Sequence, residues 1–408
     1  MQSYLLHNGF RILHIEAEAP ASHCGLFIDT GSRDELEDEN GLAHFIEHVI
    51  FKGTRKRKSW HILNRLESVG GELNAYTTKE ETCIYASFLS EHYERAVELI
   101  SDLVQHSVFP EKELEKEKEV IIDEINSYRD TPSEEIHDRF EEMLFEGSPL
   151  GRNILGTEES IRYFNKEKII GFMRRNYHPE KMVLCSAGKI DFGRLKDIAE
   201  KYFSTLAAGS GSVARTAAGE PKRFKSGMDK PVHQTHCILG TTAYNRRDPR
   251  RYAMTLLNNI LGGPAMNSRL NLSVRERHGY CYHIESFYQA YLDTGVFGIY
   301  LGTDNDYLEK SLSLIRKEIK VLREKTLGIQ QLRQAKKQIR GQITLAYESN
   351  QNRMLALGRN YLHDGMVLTL PEFLMKFEEI TGDDILEISR EALDPDQFSM
   401  LTYSGKEN

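Results

Sequence analysis

The first residues of the chain alternate between apolar and polar side chains, a pattern that predicts β-strands. The stretch from Leu5 to His14 alternates around Asn8-Gly9, a dipeptide typical of tight hairpin turns. A second strand-like run covers His23–Thr30. Apolar residues then recur at helical spacing through residues 41–51 and 59–69. These patterns predict strands followed by two helices.

The rest of the first half continues as alternating groups of strands and helices. Further strands are predicted at residues 72–78, 82–88 and 182–187, and further helices at 92–106, 110–128 and 133–145. The stretch 207–231 is rich in Gly, Ser, Ala, Lys and Pro and lacks apolar periodicity. That composition predicts an interdomain linker.

The second half repeats the order of these elements. Ser22-His23-Cys24 before one strand is echoed by Thr235-His236-Cys237, at an offset of roughly 210 residues. Several such matches in the same order predict an internal repeat. We therefore predict an α+β fold of two similarly folded domains, each a mixed, largely antiparallel sheet packed against helices. The predicted ranges are a first domain at 1–206, a linker at 207–231 and a second domain at 232–408.

Composition and charge indicate an ordinary globular protein. Of 408 residues, 40% are hydrophobic and 28% are charged, and the formal net charge of −8 argues against nucleic-acid binding. The short basic run Lys52–Lys58 is interpreted as a solvated loop. No apolar run approaches the roughly 20 residues that span a bilayer, and no signal-peptide pattern is evident. Five scattered cysteines without a CxxC pair favour free thiols in a reducing compartment, so the predicted location is cytoplasmic.

The predicted helix at 41–51 carries a set of groups that can bind a metal. His44 and His48 are four residues apart, so their imidazoles lie on one helix face and can share an ion. Glu47 lies on nearly the same face, where it can act on water without being a ligand. His-x-x-Glu-His (HxxEH) is the inverzincin motif of zinc proteases.

The second repeat lacks these groups. At the same offset, the positions of His44, Glu47 and His48 are held by the residues Met254, Leu257 and Asn258. The helix is therefore interpreted as a structural element whose ionisable groups serve another purpose.

A catalytic zinc ion needs three protein ligands, and the predicted helix at 110–128 is the best source of the third. Glu117 and Glu124 are seven residues apart on one face that also carries apolar positions. Glu119 and Asp123 lie on other faces. Helix geometry alone leaves open whether Glu124 binds metal or belongs to a solvated charged face.

The chain resembles the family of pitrilysin, insulysin and the mitochondrial processing peptidase. The similarity covers nearly the whole chain and is carried by Gly41–Thr54, Gly70–Thr77, Glu117, Val120–Glu124, Asn267–Leu270, Val274–Glu276 and Tyr282. It departs from the family pattern at Gly262–Met266, where Pro264 stiffens the turn. The resemblance implies half of a clamshell.

The resemblance also implies roles for the matching residues. His44, His48 and Glu124 would bind one zinc ion per chain, and Glu47 would be the general base. Glu117 would be an outer carboxylate that orients a ligand.

Four further residues would act on the substrate. Asn74 and Ala75 would line the cleft on an exposed strand edge. Arg275 and Tyr282 would also take part in catalysis, because they would contact the substrate backbone and the developing oxyanion.

These roles imply a zinc metalloendopeptidase that hydrolyses unfolded peptides or oligopeptides inside a closed chamber. Peptides would bind by strand addition to the open sheet edge. Larger family members join four such domains, so this two-domain chain is expected to pair as a homodimer, with the active site completed in trans. A heterodimer is the other possibility.

Two other functions compete with peptidase activity. A non-catalytic scaffold or assembly subunit of the same fold would typically lack the zinc residues, which this chain retains. A binding module with a structural zinc would be expected to use four ligands rich in cysteine, and no cysteine lies near the motif.

Overall fold

A computed structural model describes residues 1–209 and 214–405. Taken over these residues, the chain divides into two compact units. The first unit comprises Met1–Asn126, Arg152–Thr216 and Leu345–Val367, and the second comprises Ser127–Gly151, Ala217–Thr344 and Leu368–Asn408. Each unit is therefore assembled from segments that are distant in sequence.

Eleven strands lie in the described ranges. In chain order they are β1 (Gln2–Leu5), β2 (Arg11–Glu16), β3 (Ala21–Ile28), β4 (Glu72–Thr77), β5 (Thr82–Leu89), β6 (Met182–Gly188), β7 (Lys225–Asp229), β8 (Thr235–Ala243), β9 (Cys281–Ala290), β10 (Gly295–Thr303) and β11 (Ser399–Ser404).

Fourteen α-helices accompany them in the same described ranges. They are α1 (Leu42–Val49), α2 (Ser59–Glu67), α3 (Tyr93–His106), α4 (Glu111–Arg129), α5 (Pro132–Leu144), α6 (Glu158–Tyr163), α7 (Lys166–Asn176), α8 (Phe192–Phe203), α9 (Arg251–Gly262), α10 (Leu308–Glu324), α11 (Ile329–Tyr347), α12 (Asn350–Asp364), α13 (Leu370–Glu378) and α14 (Gly382–Ala392). A π-helical segment covers Asn271–Glu276.

The second sheet repeats the topology of five of the six strands of the first sheet, and this confirms the predicted repeat. The first sheet has the order β1-β2-β6-β3-β5-β4 and the second has the order β7-β11-β8-β10-β9. In both sheets one pair is parallel, β2 with β6 and β7 with β11, and the other pairs are antiparallel. The predicted class, two similarly folded αβ domains with largely antiparallel sheets, is therefore correct.

One helix in each unit comes from the opposite half of the chain. In the first unit, α12 packs on the sheet through Met354 and Leu357, which join a buried cluster with Phe27. Gly358 lies so close to Phe27 that an added Cβ would stand 2.2 Å from its ring. In the second unit, α5 packs on the sheet through Phe140 and its neighbours. Both faces of each sheet are therefore covered by helices.

A buried ion network also ties α12 to the first sheet. The Glu81 carboxylate accepts hydrogen bonds from His363 Nε2 at 2.9 Å, from Tyr76 Oη at 2.9 Å and from Arg359 Nε. Only 2% of the Glu81 side chain is exposed, so these partners replace its lost hydration.

The predicted linker 207–231 contains a strand in its described part, while residues 210–213 lie outside the described ranges. Its residues Lys225–Asp229 form β7, which pairs in parallel with β11. Exposed and half-buried side chains alternate along β7, as they do in an edge strand. The sequence does not indicate this strand, because β7 is held by backbone pairing with β11 and not by the burial of apolar side chains. The division at 206 and 232 stays a prediction.

The five cysteines are buried free thiols, as the scattered spacing predicts. None of the helices in ranges 1–209 and 214–405 combines the length and apolar character that a bilayer-spanning segment needs.

Candidate metal centre

Helix α1 is fixed by its apolar residues, and this fixes where its histidines point. Phe45, Ile46 and Val49 are fully buried in the core of the first unit. Phe45 meets Phe164 edge to face, with ring centroids 5.5 Å apart. Because Phe45, Ile46 and Val49 occupy the core, the imidazoles of His44 and His48 lie together on another face of α1.

Helix α4 is also held in place by its buried apolar residues, and it supplies two carboxylates. Its buried residues Leu114, Ile121 and Ile125 pack into the core and hold one face inward. Glu117 and Glu124 lie near this face, and Glu117 is buried while Glu124 is half-buried.

The two helices bring three metal-binding groups together. Donor atoms of His44, His48 and Glu124 all lie within 4.8 Å of one another. Glu124 oxygens lie 3.9 Å from His44 Nε2 and 3.5 Å from His48 Nε2. Two imidazoles and one carboxylate form the donor set of a catalytic zinc site, with a fourth position left open. In chemistry and spacing, these residues fit the ion.

Burial keeps His44 in the form that binds metal. Burial lowers the pKa of His44 to about 3, and the neighbouring His48 adds to the effect. At neutral pH the ring is therefore uncharged and offers a lone pair. The two rings lie 4.6 Å apart between centroids.

Glu117 orients His48 from behind. His48 Nδ1 lies 3.1 Å from Glu117 Oε1, and Lys52 Nζ lies 2.7 Å from Glu117 Oε2. When Nδ1 carries the proton for this bond, Nε2 has its lone pair directed towards Glu124. Burial alone would raise the pKa of Glu117, but His48 and Lys52 outweigh it and the pKa falls. The carboxylate is therefore ionised at neutral pH.

Glu47 lies beside the cluster as a poorly solvated carboxyl group. Its Oε2 atom is buried and has no hydrogen-bond partner among the described residues. Burial raises the pKa of Glu47, although the Thr77 side chain and the nearby His48 act in the opposite direction. A carboxylate with a raised pKa is a better proton acceptor at neutral pH than an ordinary surface glutamate.

Asn74 and Ala75 lie on β4, which is the last strand of its sheet. Strand β4 contacts α1, the helix that carries the two histidines. Asn74 is exposed and Ala75 is half-buried. In the described ranges only β5 pairs with β4, which gives this strand one outer edge.

Arg275 and Tyr282 lie in the second unit and do not belong to the three-residue cluster. Arg275 is exposed on the π-helical segment. Tyr282 is the second residue of β9, and 60% of it is exposed. An aromatic ring this exposed is not a core residue.

The interpretation of Lys52–Lys58 as a solvated loop was wrong for two of its members. Lys52 is the partner of Glu117, and Arg57 forms ion pairs with Glu98 and Asp102. The reason is that partners from α3 and α4 lie over this segment. The spacing of Lys52 four residues after His48 is a signal that could have indicated the first contact.

Comparisons with known proteins identify the family of the chain. Residues 11–158 match the insulinase family, peptidase family M16, and residues 163–339 match the domain described as the peptidase M16 inactive domain. The chain is 34% identical over 407 residues to YmxG of Bacillus subtilis, named an uncharacterized zinc protease, covering 99% of both chains. A protein of Streptomyces coelicolor, also named an uncharacterized zinc protease, is 33% identical, over 90% of this chain and 82% of the relative.

Solved structures share the fold. A protease from Helicobacter pylori superposes with a TM-score of 0.90 at 19% identity, over 99% of both chains. A peptidase M16 inactive-domain protein from Pseudomonas fluorescens gives a TM-score of 0.92 at 21% identity, over 100% of this chain and 98% of the other.

The two family matches together cover most of the chain, and the relatives above are named uncharacterized zinc proteases. The chain belongs to the insulinase family of peptidases, family M16.

Proposed function

We propose that this protein is a zinc-dependent metalloendopeptidase that hydrolyses unfolded peptides or oligopeptides. The observation that carries the proposal is the cluster of His44, His48 and Glu124 beside the buried, unpartnered Oε2 of Glu47. These four groups are the minimum for metal-assisted hydrolysis, because they supply three ligands and a base. Three ligands would leave one coordination position of the metal open.

His44, His48 and Glu124 would hold one zinc ion per chain. When bound, zinc supplies a Lewis acid that polarises the scissile carbonyl and lowers the pKa of water to about 7. Glu117 would keep Nε2 of His48 available by accepting a hydrogen bond from Nδ1–H, and the Lys52 ammonium would keep Glu117 ionised.

Glu47 would perform the proton transfers. Its raised pKa suits it to take a proton from the attacking water and to return that proton to the departing amine. Its buried Oε2 atom has no hydrogen-bond partner among the described residues, which supports this role because that oxygen is free to accept the proton.

The substrate would bind as an added strand along β4. Main-chain hydrogen bonds at this edge, near Asn74 and Ala75, would give affinity with little dependence on sequence. Only an unfolded segment can supply a free strand, so peptides would be cleaved and folded proteins spared.

Arg275 and Tyr282 would contact the substrate backbone and the developing oxyanion, where charged and hydroxyl donors stabilise the transition state. Their exposure on the second unit supports this role. A homodimer would close the chamber, with Arg275 and Tyr282 of one chain serving the zinc site of its partner.

Glu47→Gln is the test of the proposal. The purified variant is expected to hold about one zinc ion per chain, as the wild type does, and to lose most hydrolysis of an unfolded peptide. Zinc is quantified by elemental analysis, and cleavage by mass spectrometry. Wild-type protein without zinc, or unchanged turnover in the variant, would overturn the proposal.

A further inference from the structure

The N-terminus of α1 has no capping side chain of its own. The residue at the N-cap position is Gly41, with φ of 92° and no side-chain cap. The first backbone N–H groups of a helix have no partner within the helix and need one from elsewhere. Because α1 has eight residues, its first turn is about half of the helix.

A glutamate upstream in sequence supplies the missing acceptor. Glu35 Oε2 accepts from Gly41 N at 2.9 Å, and Glu35 Oε1 accepts from Ala43 N at 2.8 Å. Glu35 is 4% exposed, so water cannot replace it. Both carboxyl oxygens are committed to the helix that carries the metal-binding histidines.

A local cap is prevented by close packing around Gly41. An added Cβ at this position would stand 2.7 Å from Gly156 Cα and 2.8 Å from Leu155 O. The φ of 92° also disfavours any residue other than glycine. Serine, threonine or aspartate at position 41 is therefore excluded, and the acceptor has to come from another segment.

The segment that carries Glu35 is itself held at several points. Arg152 Nη1 donates to the carbonyl oxygens of Glu35 and Leu36, at 3.0 and 2.9 Å. Asp34 accepts two hydrogen bonds from Arg215, at 2.9 and 2.7 Å. Because its segment is held in place, the Glu35 carboxyl group can fix the position of the N-terminus of α1.

From these contacts we infer that Glu35 is a positioning residue of the metal centre. It sets the first turn of α1, which includes His44 as the third helical residue, and through that turn it sets the direction of His48. The inference rests on the proposed function, because His44 and His48 are taken as zinc ligands. Glu35 acts through α1 and touches neither the ion nor the substrate.

The test compares zinc affinity in three variants. Glu35→Leu removes both acceptors with a side chain of similar size, and Glu35→Gln retains one acceptor oxygen. Glu39→Gln is the matched control: Glu39 is also buried, lies in the same loop and accepts a backbone N–H, from Leu36 at 2.9 Å, but does not cap α1. Zinc affinity is measured by competition with a chromophoric chelator, and melting temperature is measured on the zinc-free proteins.

Glu35→Leu is expected to weaken zinc binding by roughly 3- to 30-fold, the range that corresponds to loss of a helix cap. Glu35→Gln should fall between Glu35→Leu and wild type, and Glu39→Gln should stay close to wild type even where its melting temperature falls. If Glu35→Leu does not fold, the comparison of Glu35→Gln with Glu39→Gln decides.

Two negative results have different meanings. Equal zinc affinity in Glu35→Gln and Glu39→Gln, with wild-type protein that binds zinc and cleaves peptide, overturns the role of Glu35 alone. Wild-type protein that binds no zinc overturns the proposed function and, with it, the inference.

Discussion

Replacing Glu117 with glutamine distinguishes the two carboxylates that α4 contributes to the candidate site, Glu117 and Glu124, by their effect on zinc. The change preserves shape but removes the negative charge that holds His48 Nδ1 at 3.1 Å and Lys52 Nζ at 2.7 Å. The amide retains one oxygen that can accept from His48. Its NH₂ group then faces the Lys52 ammonium, where two donors meet.

The magnitude follows from the charge of the hydrogen bond. Hydrogen bonds to charged groups contribute about 1.5–3 kcal/mol, against about 0.5–1.5 kcal/mol for neutral pairs. The loss is thus about 1–1.5 kcal/mol, or roughly tenfold in affinity, the lower end of the 10- to 100-fold range for outer partners of metal ligands. Glu124→Gln removes an anionic ligand outright and should weaken binding far more.

Zinc titration by chelator competition measures both variants. Glu119→Gln is the matched control, because Glu119 lies on the same helix and its exposed side chain pairs with Arg162. We expect the control to bind like wild type. Loss of zinc in Glu117→Gln combined with retention in Glu124→Gln would refute the assignment of the third ligand.

Three other outcomes are expected. A heterodimer of inactive Glu47→Gln and Tyr282→Phe chains should recover roughly half of the activity of the wild-type dimer if the site is completed in trans, and heterodimers without activity would contradict this. Burial alone would raise the pKa of Glu81, but its hydrogen bonds outweigh burial and lower this pKa from 4.5 to about 2. Ionised Glu81 therefore stabilises the folded protein above pH 4.5, and this stabilisation is lost as the pH falls towards 2. Thermal melts from pH 7 to 3 should therefore show Glu81→Gln less stable at pH 7, with a shallower acid decline. Gly358→Ala should lower the free energy of unfolding by about 1–3 kcal/mol, because the added methyl group would overpack against Phe27. Gly171→Ala is the control and should not destabilise the protein, because no atom lies within 4 Å of its added Cβ. Equal melting temperatures of the two variants would contradict the packing argument.

The helices that carry the candidate site could be predicted from sequence because their determinants are local. The predicted ranges 41–51 and 110–128 correspond to α1 at Leu42–Val49 and α4 at Glu111–Arg129. Apolar spacing fixes which face of each helix is buried, and the spacing of His44 and His48 follows from helical geometry alone. Their ends differ by a few residues because capping depends on neighbours.

Contacts between distant segments could not be predicted in this way. The packing of α12 on the first sheet joins Met354 to Phe27, across more than three hundred positions of the chain. Glu35 likewise has no local pattern that marks it as a cap, since its acceptor role depends on the chain returning to place Gly41 six residues later. Periodicity reports which residues are buried, not which segment buries them.

Comparison of the two repeats distinguishes the residues that the fold requires from the residues that the proposed chemistry requires. The second sheet repeats the strand order of the first, and α9 occupies the place in the repeat that α1 has in the first half. In α9, Met254 and Leu257 are fully buried and belong to the core of the second unit. An apolar helix therefore suffices for the architecture, and burying His44 and Glu47 in α1 costs solvation without a structural need. The presence of these buried ionisable groups on one helix of the two supports the proposed metal site.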